Sequence, residues 1–231
     1  MSGKHSESDV FLKVDNLGIY GEGVARLDNY TVFIDGVLPG EEVQARLIEK
    51  KKNYGRAELS SFVKKNFAIR TKPPCSAFTK CGGCQLMHLN YQEQLRIKTQ
   101  KVRDAVERIA PLKNIEVFSC LPSPKPLQYR NKIQLPLMVD ANGVLISGLY
   151  AKRSHNLVKV EKCHIHCELG EEVYKKVFNT LKSSFSPGKE GKFRHLLLKT
   201  AVHQKETLVI LVTNGKIKNL SKVATKLMKS H

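Results

Sequence analysis

Apolar and polar residues alternate in short runs over the first part of the chain. Val32 and Ile34, and then Val43, Ala45 and Leu47, recur at every second position, the period of a half-buried strand. Such runs predict strands at Val10–Val14, Gly23–Leu27, Tyr30–Ile34, Glu42–Ile48 and Arg56–Val63. Turn signals divide them: Gly18, Gly21-Glu22-Gly23, Asp28-Asn29, Asp35-Gly36, Pro39-Gly40 and Asn53-Tyr54-Gly55. Asp28-Asn29 predicts a hairpin turn, because both residues tolerate positive φ. Gly21 and Gly23 lack the third glycine and following helix of a phosphate loop, so they read as a turn or bulge.

Five short strands at this spacing predict a small closed or nearly closed β-barrel of OB type, since closure removes exposed edges. A basic connector from Lys64 to Lys72 then leads into Pro73-Pro74. The clearest helical pattern follows, from Asn90 to Ile109. Tyr91, Leu95, Val102, Val106 and Ile109 form one apolar stripe, Asn90 is placed to cap it, and Glu93 stands where a capping-box acid belongs. Pro111 stops the helix, and Arg96, Lys98, Lys101, Arg103 and Arg108 give it a solvated face.

Beyond residue 115 the pattern is mixed. Strands are predicted at Ile133–Val139, Val144–Tyr150, Leu157–Val160, His195–Ala201 and Thr207–Val212, and helices at Glu171–Ser183 and Leu220–Met228. Asn142-Gly143 predicts a two-residue hairpin turn between the first two of these strands. The last helix runs to Lys229 without a closing glycine, which leads us to expect that the fold continues.

Composition narrows the function. The 231 residues carry 39 Lys and Arg against 21 Asp and Glu, a net charge of +18. Such a charge calls for a polyanionic partner. The longest aliphatic run, Leu208–Val212, is far shorter than a membrane span, and the first ten residues hold no apolar segment of a secretory signal. A cytoplasmic protein with no membrane partner is therefore expected, and no protein partner is inferred.

The six cysteines are unevenly placed. Cys75, Cys81 and Cys84 lie within ten residues, around Gly82-Gly83, whose backbone freedom would let the chain wrap a ligand. Cys163 is the best candidate for a fourth ligand, with Cys167 second; Cys120 reads as a small buried hydrophobe. A cytoplasmic setting disfavours disulfides. Structural zinc, with His164 or His166 completing the set, and a thiolate-bound iron–sulfur cluster stand level on spacing alone. The spacing does not fit Cys-x3-Cys-x2-Cys, so radical S-adenosylmethionine chemistry is set aside.

Four segments carry a resemblance. They are Gly21-Glu22-Gly23-Val24-Ala25-Arg26 with Leu38-Pro39-Gly40-Glu41; Pro74-Cys75 through Cys81-Gly82-Gly83-Cys84-Gln85-Leu86-Met87-His88 and on to Lys98; Tyr129-Arg130-Asn131-Lys132-Ile133-Gln134-Leu135-Pro136; and Gly148-Leu149-Tyr150 with Arg153-Ser154-His155 and Cys163. Together they resemble the bacterial RNA (uracil-5-)-methyltransferases that carry an N-terminal TRAM domain and a [4Fe-4S] cluster, most of all those making 5-methyluridine in 23S ribosomal RNA.

The resemblance implies a TRAM-like RNA-binding barrel over residues 8–66 and a central α/β domain over 67–231, with a cluster loop at 73–90, a helix at 91–109 and mixed α/β structure at 115–231. It implies Cys75, Cys81, Cys84 and Cys163 as ligands of a structural [4Fe-4S] cluster, and S-adenosyl-L-methionine as cofactor of the complete enzyme. In that family a thiolate adds to uracil C6, C5 takes the methyl group, and a base removes the C5 proton. The groups that do this lie in a C-terminal Rossmann-like domain of roughly 100–150 residues. The expectation is that this domain is absent here, that no catalytic or S-adenosylmethionine-binding residue lies in the chain, and that the chain alone is inactive. RNA, ribosomal with transfer RNA as the alternative, is the expected partner. Arg130, Lys132 and Gln134, alternating on one strand, are the first RNA-contact candidates, and Arg153, Ser154 and His155 the second. Tyr20, Tyr54 and Tyr129 are possible base-stacking rings, each more simply read as a half-buried ring on a strand. The alternative to an enzyme is a free-standing, non-catalytic RNA-binding module.

Overall fold

The computed structural model describes residues 8–110, 114–185 and 193–228. Pro111, Lys229 and the side chain of Ile109, all invoked above, lie outside the described residues. The chain divides into two compact units: residues 1–73 with 84–122, and residues 74–83 with 123–231.

In the first unit, β1 (Val10–Leu17), β2 (Gly23–Leu27), β3 (Tyr30–Ile34), β4 (Glu42–Lys50) and β5 (Tyr54–Lys64) close a barrel in the order β1-β2-β3-β5-β4. Every neighbouring pair is antiparallel except β3 with β5. The period of two places Leu12, Val14, Ala25, Val32, Ile34, Val43, Ala45 and Ala57 inside. Asp28, at φ 53°, makes the predicted β2–β3 turn.

Glu41 is wholly buried at the end of the β3–β4 connection. Its carboxylate accepts from the backbone N–H of Leu38 at 2.8 Å and of Asn66 at 3.3 Å, and from Arg70 Nε and Nη2, each at 2.6 Å. Arg70 Nη2 also donates to the Gly36 carbonyl at 2.9 Å, and the guanidinium lies 5.0 Å from the Phe62 ring centre. This ion pair fastens the segment after β5 to the barrel's end.

Helix α1 (Tyr91–Asp104) continues as a π-turn through Ala105–Ile109. Asn90 caps it, its Oδ1 accepting from the Glu93 N–H at 2.9 Å. Glu93 does not return the bond. It pairs with Arg96, which holds its carboxyl below the ordinary range. The pair adds little to stability, because Arg96 is mostly exposed. The expected stripe also needs correction. Ile97 is the buried residue, packed with Leu17, Leu38 and Leu89, while Val102 faces outward. Ile97 stands two residues from Leu95, about 200° around the helix, so it faces nearly opposite the line of Leu95 and Val102.

The second unit holds the sheet β11-β10-β6-β7, formed by β6 (Lys132–Val139), β7 (Leu145–Ser147), β10 (Phe193–Ala201) and β11 (Glu206–Thr213). A separate ladder joins β8 (Leu149–Tyr150) and β9 (Leu157–Val158). Helices α2 (Glu168–Ser184) and α3 (Leu220–Met228) cover one face. Val173, Tyr174, Val177 and Leu181 of α2 pack with Ile133, Leu135, Leu196 and Leu198. The β6–β7 turn is longer than the two residues expected. Asp140 Oδ1 accepts from the N–H groups of Asn142 and Val144, each at 3.0 Å, and so shapes a loop of its own. The single strand expected over 144–150 is broken at Gly148. A β-carbon there would stand 2.1 Å from the Val158 carbonyl oxygen, so only glycine admits that approach.

Candidate functional site

The thiol loop is built mostly from short backbone turns. The N–H of Cys81 donates to the Ala77 carbonyl at 2.7 Å, and that of Phe78 to the Cys75 carbonyl at 3.2 Å. A bridge from Cys81 to Ala151 and a bond from the Gly82 N–H to the Tyr150 carbonyl, 2.9 Å, dock the loop on β8. A β-carbon at Gly82 would come within 3.0 Å of that same carbonyl, which is why glycine follows Cys81. The Gly83 N–H donates to Cys81 Sγ at 3.3 Å. Cys84 falls in the first unit, in the stretch leading to α1.

Cys163 opens a second turn, ahead of α2. Burial pushes its thiol pKa up, while the backbone N–H groups of Ile165 and His166 oppose that shift by stabilising the thiolate. Glu171 ties the turn together. One oxygen accepts from the Cys163 N–H at 3.3 Å, and the other lies 3.1 Å from His166 Nδ1. That contact assigns the Nδ1 proton to the histidine, since an ionised carboxylate only accepts. His166 is 1% exposed, and its Nε2 finds no partner among the described residues. A β-carbon at Gly170 would stand 2.4 Å from that Nε2, so the glycine makes room for the ring.

None of the six cysteines forms a disulfide. Cys120 is half-buried, not the buried hydrophobe expected, and its N–H donates to Thr99 Oγ1 at 2.9 Å. Among the described residues no three His, Cys, Asp or Glu side chains gather where they could hold one metal ion.

The first RNA-contact trio splits. Lys132 and Gln134 are exposed on the face of β6 opposite Ile133 and Leu135. Arg130 precedes the strand and is held by its backbone, its N–H donating to the Ile165 carbonyl at 2.7 Å and its carbonyl accepting from Cys167 at 2.9 Å. The second trio lies in the β8–β9 turn. Arg153, at φ 53°, is exposed, and the Ser154 hydroxyl is occupied by the Asn156 N–H at 3.1 Å. The exposed His155 ring meets Tyr150 edge-on at 5.3 Å. Sequence reasoning missed Glu41 with Arg70 and Glu171 with His166, because their signal is tertiary. No helix among the described residues is long and apolar enough to cross a membrane.

Comparison with known proteins bears on this arrangement. Residues 10–60 match the TRAM domain. The chain is 38% identical over 210 residues to an uncharacterized RNA methyltransferase of Clostridium tetani, covering 89% of this chain and 45% of that protein. It is 38% identical over 207 residues to an uncharacterized RNA methyltransferase of Listeria monocytogenes, covering 87% and 45% respectively. The chain therefore spans about half the length of the curated relatives it matches. Among solved structures, the Pyrococcus abyssi tRNA (uracil-54, C5)-methyltransferase in complex with S-adenosyl-L-homocysteine shares the fold. The TM-score is 0.62 and the identity 23%, over 96% of this chain and 49% of that one.

This match corrects the fold class expected from the sequence. The likeness to that chain runs over 96% of this one, so the fold is defined by the barrel and the α/β unit it holds and not by a missing C-terminal Rossmann-like domain. That expectation rested on where the sequence stops and on the lack of recognisable catalytic and cofactor-binding motifs, and a chain end says nothing physical about further domains. The inactivity expected of the chain is likewise not supported by the comparison.

Proposed function

We propose that this protein serves S-adenosyl-L-methionine-dependent methylation of uracil C5 in RNA, in the cytoplasm, and that the residues described above hold the RNA. The observation that carries this reading is the likeness to RNA methyltransferases across 87–89% of the chain. A TRAM match on a closed barrel, in a chain of net charge +18, supports it. S-adenosyl-L-methionine supplies the methyl group when bound. The chain's own cations position phosphates, and the exposed amide of Gln134 offers a donor and an acceptor to a base or a ribose.

Ribosomal RNA is the proposed substrate, on the sequence resemblance. Transfer RNA is the second reading, favoured by the substrate named for the structural neighbour. Deleting the gene and digesting each RNA separately decides between them by mass spectrometry. Loss of one 5-methyluridine from ribosomal RNA is the expected result. Loss from transfer RNA selects the second reading, and loss from neither overturns both.

RNA binding should be ionic and localised. The logarithm of affinity for a single strand should fall with the logarithm of salt by roughly 0.7 per phosphate contact. Charge reversal at Arg130 and Lys132 together should lower that slope by roughly 1.4. Reversal at Lys222 and Lys226, exposed on α3, should leave it unchanged. Equal losses at both pairs would mean diffuse attraction without a defined surface.

We also assign Cys75, Cys81, Cys84 and Cys163 to a structural [4Fe-4S] cluster. Donor chemistry supports this: none of the four is in a disulfide, and Cys81 and Cys163 receive backbone N–H groups of the kind that stabilise bound thiolates. No step of the reaction runs through the group. Protein purified without oxygen should contain iron and acid-labile sulfide in equal amounts. Cys163→Ser should lose both, and Cys120→Ala neither. Zinc without iron would restore the zinc alternative.

A further inference from the structure

The outer face of the barrel carries a group of side chains that packing does not require. Where β2, β3 and β5 run side by side, Arg26, Thr31 and Tyr54 form one cross-strand row, and Val24, Phe33 and Arg56 form the next. The rings of Phe33 and Tyr54 meet edge to face, with centres 5.7 Å apart, and the Arg56 guanidinium stands 5.9 Å from the centre of Phe33. Tyr54 is 37% exposed. Its backbone is held firmly: its carbonyl accepts from the Tyr30 hydroxyl and, at 2.8 Å, from the Lys51 N–H. Gly55 keeps this clamp possible, because a β-carbon there would stand 2.9 Å from the Tyr30 ring and 3.0 Å from the Glu49 carbonyl. The clamped turn carries three consecutive exposed lysines, Lys50, Lys51 and Lys52. Glu49 pairs with Lys51 at 3.0 Å and with Arg56 at 3.6 Å.

A rigid ring edged by guanidinium and ammonium groups is how proteins hold unpaired nucleotides: the base stacks and the cations take the phosphates. We infer that Tyr54, backed by Phe33 and Arg56, is a stacking platform for an unpaired base of single-stranded RNA, with Arg26 and Lys50–Lys52 receiving the flanking phosphates. This inference rests on the RNA-binding reading above and adds a second contact surface, on the barrel.

The test is fluorescence anisotropy of the full chain with a labelled single-stranded oligouridylate. Tyr54→Ala should weaken binding by about 5- to 150-fold. Its salt slope should stay that of the unsubstituted chain, because stacking releases no counterions. Tyr54→Phe should bind within about twofold, since the ring face is kept. Lys50→Gln with Lys52→Gln should instead lower the slope. An unchanged melting temperature for Tyr54→Ala shows that the barrel is intact, and Arg56→Gln provides a second variant if it is not. Wild-type affinity in Tyr54→Ala, beside normal RNA binding by the unsubstituted chain, overturns the platform and leaves the RNA reading standing. Failure of the unsubstituted chain to bind any RNA overturns the RNA reading itself.

Discussion

Replacing Arg70 by alanine should destabilise the first unit by roughly 3–5 kcal/mol, the range for breaking a buried ion pair by removing one partner. The cause is the carboxylate left behind. Glu41 is wholly buried, and two of its four hydrogen bonds come from Arg70. Without the guanidinium, an anion remains in the barrel's end with only two backbone N–H groups to stabilise it. At an m-value of about 2 kcal/mol/M, a loss of about 4 kcal/mol moves the urea midpoint by about 2 M. Glu41→Ala should cost less, because Arg70 retains 16% side-chain exposure and its cation can reach water. The double substitution Glu41→Leu with Arg70→Met should recover much of the loss, since an apolar pair of similar volume often replaces a buried ion pair without penalty. Additive losses in the double variant would show that the two side chains do not act as a pair.

That pair also marks where sequence reading stops. Glu41 and Arg70 are 29 residues apart, and each looks ordinary in place: an acid after a Pro-Gly turn, and one cation in a basic run. The barrel strands were legible because their period of two survives in the residues themselves, as Val43 and Ala45 illustrate. The end of β1 was less legible, since its ladder is interrupted by a bulge between Val14 and Asn16. The break at Gly148 could not be read from its neighbours, because the atom that forbids a side chain there belongs to Val158. For α1 the pattern was present but misassigned: Ile97 stands between positions of a seven-residue stripe and is the one that reaches the core with Leu17, Leu38 and Leu89.

The candidate site divides the same way. A thiol-rich loop, a second cysteine turn and exposed Lys132 were visible as residue types. What holds the second turn was not, because the bonds of Glu171 depend on the direction in which α2 leaves it.

Glu171→Ala should therefore have the largest effect in the second unit, about 2–4 kcal/mol. It orphans two donors at once, the Cys163 N–H and the Nδ1–H of buried His166, and an unsatisfied buried group costs about 1–3 kcal/mol. Glu171→Gln should cost less. Its single carbonyl oxygen can accept from one of the two donors, while its amide would face the other as a second donor. His166→Phe tests the partition: it removes one of the orphaned donors, so the further loss on adding Glu171→Ala should be smaller than in the parent chain. Gly170→Ala should disturb the same turn from the other side, pressing a methyl group into the space of the His166 ring. Thermal melts give the stability, and amide exchange gives the location. In Glu171→Ala the amides of Cys163 and His166 should lose protection before those of β10, whose ladder with β6 and β11 does not depend on Glu171. If exchange at Cys163 matches that of the parent chain, the carboxylate does not hold the turn, and its backbone bonds do: from the Arg130 N–H to the Ile165 carbonyl, from the Cys167 N–H to the Arg130 carbonyl and from the His166 N–H to the Cys163 carbonyl.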